Sequence, residues 1–143
     1  MPKRKTKTAS QLRKEALQLS QRLARMKASD NFGYASCVTC GKTDYYKNMD
    51  GGHFISKGSS SRWALDLRNI HCQCKGCNGF SMTHGTAQIA YTRYMQEEYG
   101  DKFVAQMLRE KKNILKISTA EYKDMVDDLK IEIKKEKIRL GEC

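Results

Sequence analysis

Residues 68–78 read Arg-Asn-Ile-His-Cys-Gln-Cys-Lys-Gly-Cys-Asn, and the pair Cys74 and Cys77 within this stretch decides the fold. An earlier pair with the same two-residue gap, Cys37 and Cys40, lies upstream. Each such pair places two thiolates on one tight turn, and four thiolates fill a tetrahedral Zn²⁺ site at Zn–S distances of about 2.3 Å, with no open position. The spacing therefore predicts a structural zinc site that stabilises a segment with little apolar core.

Disulfides and a redox-active dithiol are the alternative interpretations of these cysteines. The basic residues 1–10 are not followed by the apolar stretch of a secretion signal, which makes disulfides a poor fit. Two Cys-x-x-Cys pairs together favour a metal over a redox pair. Cys72 and Cys143 are left over. Cys72 could replace Cys74 as a ligand, although only Cys74 gives the second pair its two-residue gap.

The composition is that of a basic chain of one domain. Of its 143 residues, 39% are hydrophobic and 30% are charged. No apolar run approaches the roughly 18 to 20 residues of a membrane span, so we expect a cytoplasmic protein with no membrane partner. The net charge is +11, and residues 1–27 carry nine basic residues and one acidic residue. This excess favours a polyanionic partner, because cationic side chains release the counterions condensed on phosphates.

The distribution of apolar and turn-forming residues divides the chain into four segments. We predict a basic tail at residues 1–9, an N-terminal helix at 10–30, a zinc-bound core at 31–85 and a C-terminal helical region at 86–143. Within the core, short strands fit residues 53–55 and 63–65, and Trp63 is interpreted as a buried residue. Ser118 and Glu121 have capping-box spacing, which predicts a helix start at Ser118.

An apolar stripe runs along the predicted N-terminal helix. It is formed by Leu12, Ala16, Leu19, Leu23 and Met26. Packing on the rest of the chain is the default expectation for such a stripe, and pairing with a second copy in a homodimer is the alternative.

Between the two cysteine pairs, the order of the polar residues suggests phosphodiester chemistry. His53 follows Asp50-Gly51-Gly52, Asn69 precedes the second pair, and Asn78 comes directly after Cys77. Hydrolysis of a phosphodiester needs a base that deprotonates water and a divalent cation that neutralises charge on the phosphate and the departing 3′ oxygen. A neutral imidazole suits the first task, so we predict His53 as the base. Asn69 is predicted to fix the hairpin or the orientation of His53.

This order resembles the HNH, or ββα-metal, nuclease motif, in which a hairpin carries the base and a helix after the second cysteine pair carries a metal ligand. Residues 34–100 resemble the lambda NinG (Rap) family of phage recombination nucleases through Gly-His-Phe, Arg-Asn-Ile-His-Cys-Gln-Cys-x-x-Cys-Asn and a later Tyr-Gly. The Asn after the cysteine pair also resembles endonuclease VII-type Holliday-junction resolvases. The resemblance implies that Asn78 binds a catalytic Mg²⁺ or Mn²⁺ and that His53 is the base. It further implies that a phage protein cuts branched DNA, Holliday junctions and D-loops, in the bacterial host cell.

One position departs from the motif. Many HNH enzymes have an Asp or a His directly before the base, whereas Gly52 stands there in this chain. Asp50 is the nearest carboxylate and the preferred second ligand of the catalytic metal, because carboxylate oxygens suit Mg²⁺. His84 is the alternative ligand. His71 is interpreted as a structural residue beside the zinc.

Two groups of basic residues are candidates for contacts with DNA phosphates. The first group flanks the predicted hairpin and consists of Lys57, Arg62 and Arg68, with ordinary surface solvation as the alternative. The second group lies in the basic tail and consists of Lys3, Arg4 and Lys5. Contacts from the tail would strengthen binding without reading the base sequence.

Together these features predict an α+β fold, in which a small zinc-stapled ββα-metal (HNH-like) core is flanked by N- and C-terminal helices. The predicted function is a metal-dependent, structure-selective DNA endonuclease that cuts branched recombination intermediates. Two alternatives stay open: a less selective HNH nicking endonuclease, and a zinc-finger DNA-binding module without catalysis. Symmetric cutting of a junction would need two active sites, and hence a homodimer.

Overall fold

The computed structural model describes residues 5–142. Its helices are α1 (Ala9–Ala28), α2 (Met82–His84), α3 (Ala87–Tyr99), α4 (Asp101–Arg109) and α5 (Thr119–Arg139). Its strands are β1 (Tyr34–Ser36), β2 (Thr43–Tyr45), β3 (Asp50–His53) and β4 (Ile70–Gln73). This mixture of helices and short strands confirms the predicted α+β class. No helix in the described part of the chain combines the length and the apolar character needed to cross a membrane.

The two long helices both begin with a capping box. In α1 the Thr8 hydroxyl accepts a hydrogen bond from the Gln11 backbone N–H, and the Gln11 side chain accepts one from the Thr8 N–H. Ser118 and Glu121 make the same exchange at the start of α5, which confirms the predicted cap. Each cap satisfies N–H groups that have no partner inside the helix.

Helix α5 packs along α1 and covers its apolar stripe. Leu12, Leu23 and Met26 of α1 lie in one buried core with Leu129 and Ile133 of α5. The stripe is therefore buried within the chain, which confirms the default expectation. The suggestion that it forms a homodimer contact is wrong, because α5 already occupies that face.

Two antiparallel strand pairs lie beside α1. The pair β1–β2 carries Cys37 and Cys40 in its connecting turn. The pair β3–β4 places Asp50 opposite Gln73 and Gly52 opposite His71. Residues 54–69 connect β3 to β4 as a long loop, and the second cysteine pair follows β4 directly.

The strand expected at residues 63–65 is wrong, because these residues form a turn. The partner of β3 begins instead at Ile70. Trp63 is fully buried, as expected, and it packs in a second core with Tyr91 and Met95 of α3 and Val104 of α4. This burial fixes the loop against α3 and α4. Of the strand expected at residues 53–55, only its first residue belongs to β3.

The helix expected after the second cysteine pair is also irregular. A π-helical turn covers Cys77–Ser81, with a kink at Gly79 (ψ −107°), and the single turn α2 follows it. The kink separates Asn78 from α2. His84, at the end of α2, therefore does not share a regular helix with Asn78.

Candidate active site and metal centre

Four cysteines from the two loops meet in one cluster. The Sγ atoms of Cys37, Cys40, Cys74 and Cys77 all lie within 4.8 Å of one another. The Sγ atoms of Cys40 and Cys74 are 3.7 Å apart, close to the edge of about 3.8 Å that a tetrahedron with Zn–S bonds of about 2.3 Å requires. The donor set and its dimensions fit a structural zinc ion, which these four cysteines could bind.

Cys72 does not belong to this cluster. It lies on β4, 1% exposed, in the core beneath α1. Burial, the largest influence, raises the pKa of its thiol to about 12, so the thiol stays protonated. Cys72 is therefore a core residue and not a substitute for Cys74. Cys143 lies outside the described residues.

A groove beside β3 brings together three of the predicted site residues. Its volume is about 530 Å³, and His53, Asp50 and Asn78 all line it. Gln21 and Arg25 of α1 form one wall, and Lys57 lies on its lining as well. The groove thus collects the candidate base and the preferred metal ligands, although they come from separate parts of the sequence.

The imidazole of His53 is held by the loop that follows β3. Its Nε2 atom lies 2.8 Å from the carbonyl oxygen of Ala64. A carbonyl can only accept, so Nε2 carries the proton and Nδ1 of the neutral ring is free to accept one. Burial, followed by the positive charges of Lys57 and Arg13, outweighs that hydrogen bond and lowers the pKa of His53. The ring is therefore neutral at pH 7, as a general base must be.

Asp50 and Asn78 are joined by a hydrogen bond. The Nδ2 of Asn78 donates to Oδ2 of Asp50 at 3.0 Å, which leaves the Asn78 carbonyl oxygen for another partner. Lys75 donates to the other carboxylate oxygen of Asp50 at 2.9 Å. Burial by itself raises the pKa of Asp50. The hydrogen bonds from Lys75 and Asn78 together lower it by more, so the net pKa lies below its usual value. The ionised carboxylate and the amide oxygen form a donor set that fits Mg²⁺ or Mn²⁺.

Asn69 acts on the loop rather than on His53 itself. Its side chain is fully buried; the amide oxygen accepts from Ile55 N–H, and Nδ2 donates to the carbonyls of Ile55 and Trp63. Ala64, which holds His53, follows Trp63 in the chain. Asn69 thus fixes the loop at Ile55 and at Trp63, the residue before the one whose carbonyl orients the imidazole.

The structure places the other predicted residues outside the groove. His84 is exposed and packs on Phe80, with ring centroids 4.9 Å apart. It is not among the residues that line the groove, and its role as the alternative ligand stays a prediction. Arg62 and Arg68 pair with Asp66 and lie over the Trp63 ring. Of the predicted tail contacts, Lys5 is exposed, and Lys3 and Arg4 lie outside the described residues.

His71 is a structural residue, as expected, and its ring is bound by tyrosines of α3 rather than by the cysteine cluster. Its Nδ1 and Nε2 lie 3.0 Å and 2.8 Å from the hydroxyls of Tyr91 and Tyr99. The Tyr91 hydroxyl donates to the carbonyl oxygen of Gly52 at 2.7 Å. Burial lowers the pKa of His71 to about 4. This network ties α3 to the strand that carries His53.

Sequence reasoning did not foresee the contribution of α1 to the groove. Arg25 lies off the apolar stripe, and its Nη1 donates to the carbonyl of Met49 at 2.9 Å. A Cβ at Gly51 would lie 2.5 Å from the backbone oxygen of Gln21, so only glycine lets α1 approach β3 this closely. The dipeptide Gly51-Gly52 was the available signal, since glycine inside a strand often marks the close approach of another backbone.

Comparison with known proteins supplies one match. Residues 1–138 match the model of the family described as Bacteriophage Lambda NinG protein. Neither the curated proteins nor the solved structures include a match to this chain. Because the match spans nearly the whole chain, this protein belongs to the bacteriophage lambda NinG protein family.

Proposed function

We propose that this protein is a metal-dependent DNA endonuclease of the HNH type. The observation that carries the proposal is the state of His53, whose Nε2 is bound to the Ala64 carbonyl while Nδ1 has no hydrogen bond from residues 5–142. The same groove contains the ionised Asp50 and the free amide oxygen of Asn78. A base and an oxygen donor set in one cleft meet the two requirements of phosphodiester hydrolysis.

The arrangement around this groove supports the HNH assignment. The antiparallel pair β3–β4 is followed by the second cysteine pair and a helical turn, so the order is strand, strand, helix. His53 ends the first strand, and Asn78 lies in the turn. The cysteine cluster anchors that turn, because Cys74 and Cys77 flank its start.

In the mechanism we propose, Nδ1 of His53 takes a proton from a water molecule as the oxygen of that water attacks the phosphorus. The bond from phosphorus to the 3′ oxygen then breaks, and the leaving oxygen takes a proton from solvent. Asp50 and Asn78 would hold Mg²⁺ or Mn²⁺, which supplies neutralisation of charge on the phosphate and the departing oxygen. Ala64 keeps the imidazole oriented during the proton transfer, and Lys57 adds positive charge to the groove.

The substrate class we propose is branched DNA, including Holliday junctions and D-loops. The resemblance to phage recombination nucleases suggests this class, and the net charge of +11 supports a polyanionic substrate. A less selective nicking enzyme and a binding module without catalysis are the competing functions.

Cleavage of a labelled four-way junction and of a matched linear duplex, with Mg²⁺ or Mn²⁺, tests the proposal. We expect the wild type to cut the junction faster than the duplex. His53→Ala should abolish cutting, whereas His84→Ala, at an exposed histidine outside the groove, should cut like the wild type. Equal cutting of both DNAs would favour the nicking enzyme. Binding without cutting in either metal would favour the binding module.

A further inference from the structure

We propose that Gln73 is a further ligand of the catalytic divalent cation, binding it through its side-chain amide oxygen together with Asp50 and Asn78. This inference rests on the proposed function, because it deepens the metal site assigned there. It also explains how the chain manages without an acidic residue or a histidine directly before the base.

The register of the second strand pair places these side chains together. Gln73 lies directly opposite Asp50 in the β3–β4 pair. Directly opposed residues project from the same face of a sheet, with Cβ atoms about 4.5–5.5 Å apart. Gly52, two residues after Asp50, belongs to that face as well. Asn78 reaches the same place from the turn after β4, through its hydrogen bond to Asp50.

The space above Gly52 is where the amide oxygens converge. A Cβ at position 52 would overlap Oε1 of Gln73, and it would lie 2.9 Å from Oδ1 of Asn78. The Gln73 side chain thus takes the room that an Asp or a His would need at position 52. Glycine at this position is what allows the two amide oxygens to lie side by side.

The Gln73 oxygen lacks a partner within the described chain. Gln73 is 0% exposed, and its Oε1 is buried with no hydrogen bond from residues 5–142. Its Nε2 makes one long contact of 3.4 Å to the Thr39 hydroxyl. A buried acceptor without a donor costs free energy, and two neighbouring carbonyl oxygens also repel each other.

A cation resolves both problems at once. Asp50 supplies a carboxylate, and Asn78 and Gln73 supply neutral carbonyl oxygens, so the donor set consists of oxygen alone. Such a set suits a hard divalent cation, and Mg²⁺ or Mn²⁺ can complete its coordination with water from the groove.

The test measures Mn²⁺ binding to the zinc-loaded protein without DNA, by calorimetry and by electron paramagnetic resonance. Gln73→Met keeps the volume and removes the oxygen, and we expect it to weaken Mn²⁺ binding by at least about 10-fold. Gln73→Glu keeps an oxygen and adds charge, so it should bind Mn²⁺ at least as tightly as the wild type. The matched control is Gln21→Met, at a glutamine of α1 that lines the groove, and its Mn²⁺ affinity should not change.

Thermal unfolding of the same variants gives a second readout. Replacement of an unsatisfied buried acceptor by a methionine should leave the metal-free protein at least as stable as the wild type. Added Mn²⁺ should raise the unfolding temperature of Gln73→Met less than that of the wild type, because a ligand that binds more weakly stabilises the folded state less at the same concentration. Wild-type Mn²⁺ affinity in Gln73→Met would overturn the proposal. If Gln73→Met does not fold, Mn²⁺ binding by Gln73→Glu weaker than that of the wild type would overturn it.

Asp50→Asn separates this inference from the proposed function. If Asp50→Asn weakens Mn²⁺ binding and Gln73→Met does not, only the role of Gln73 is wrong. If Asp50→Asn binds Mn²⁺ like the wild type, the metal site itself is wrong, and the role of Gln73 is wrong with it. Loss of cleavage in His53→Ala tests the base independently of both results.

Discussion

Asn69 and Ile55 exchange two hydrogen bonds across the loop between β3 and β4. The Asn69 amide oxygen accepts from the Ile55 N–H at 2.8 Å, and Nδ2 donates to the Ile55 carbonyl at 2.9 Å. The side chain thus takes the place of a backbone partner where the strand pairing has ended. A third bond of 3.1 Å, to the carbonyl of Trp63, extends this hold to the residue before Ala64.

Asn69→Ala should lower the free energy of unfolding by about 3 kcal/mol, because it leaves buried backbone groups of Ile55 and Trp63 without partners. Urea denaturation measures the change. Asn113→Ala, at an exposed loop position, is the control and should change the free energy by less than about 0.5 kcal/mol. Equal effects of the two substitutions would contradict the structural role of Asn69.

The rate of DNA cleavage should rise with pH as His53 loses its proton. Burial and then neighbouring positive charge lower the pKa of His53 below its usual 6.5, and a bound divalent cation acts in the same direction. The half-maximal rate should therefore fall below pH 6.5, with a plateau at neutral pH. Single-turnover rates across this range measure it. A midpoint above the usual histidine pKa would contradict the assignment of His53 as the base.

Acid should destabilise the fold through His71. Burial lowers the pKa of His71 to about 4 in the fold, whereas the unfolded chain takes up the proton near pH 6.5. The contribution is fully present above about pH 6.5 and is lost toward pH 4, to a total of about 3 kcal/mol. Urea denaturation at several pH values should show a flatter acid dependence for His71→Gln than for the wild type.

His84→Gln is the control for that experiment, since His84 is exposed. Protonation of cysteine ligands at low pH affects all variants alike, so the difference between the two substitutions isolates His71. The same acid dependence in both variants would exclude the contribution of His71.

Zinc content should distinguish the clustered cysteines from Cys72. The purified wild type should contain about one zinc ion per chain, and Cys74→Ser should lose most of it, because three thiolates leave the tetrahedral site incomplete. Cys72→Ala removes a buried thiol outside the cluster and should retain the zinc. Elemental analysis of protein purified without chelator makes the measurement. Full zinc content in Cys74→Ser would contradict the assigned ligands.

Arg25 should contribute to DNA binding from the wall of the groove. It forms no ion pair with an acidic residue in the described range, and only its Nη1 is engaged, by the carbonyl of Met49, so its Nη2 has donors for a phosphate. Arg25→Met should weaken DNA binding by about 10-fold and reduce the slope of log affinity against log salt by about 0.9. Fluorescence anisotropy with labelled DNA measures both quantities. Arg22→Met is the control, because it removes the same charge from the same helix at a position outside the groove lining. An equal loss of DNA affinity in Arg22→Met would mean that Arg25 contributes only through the overall charge of the protein.

The sequence alone determined the features that depend on local spacing. The two Cys-x-x-Cys pairs predicted the four-cysteine cluster, because a two-residue gap brings two thiolates to one ion wherever the loop lies in the fold. The cap at Ser118 and the long helices were predictable for the same reason, since capping and apolar periodicity act within a few residues. The pairing of Asp50 with Asn78 in one groove agrees with the order of the motif.

Only the tertiary structure decided which residues complete the groove and which lie away from it. Trp63 prefers burial against α3 and α4, so its segment forms a turn and the partner of β3 begins later. The kink at Gly79 separates His84 from the turn that carries Asn78. Arg25 lines the groove through the close packing of α1, and the register of β3 with β4 places Gln73 opposite Asp50. Contacts between residues far apart in sequence have no local signature, and so the folded chain alone reveals them.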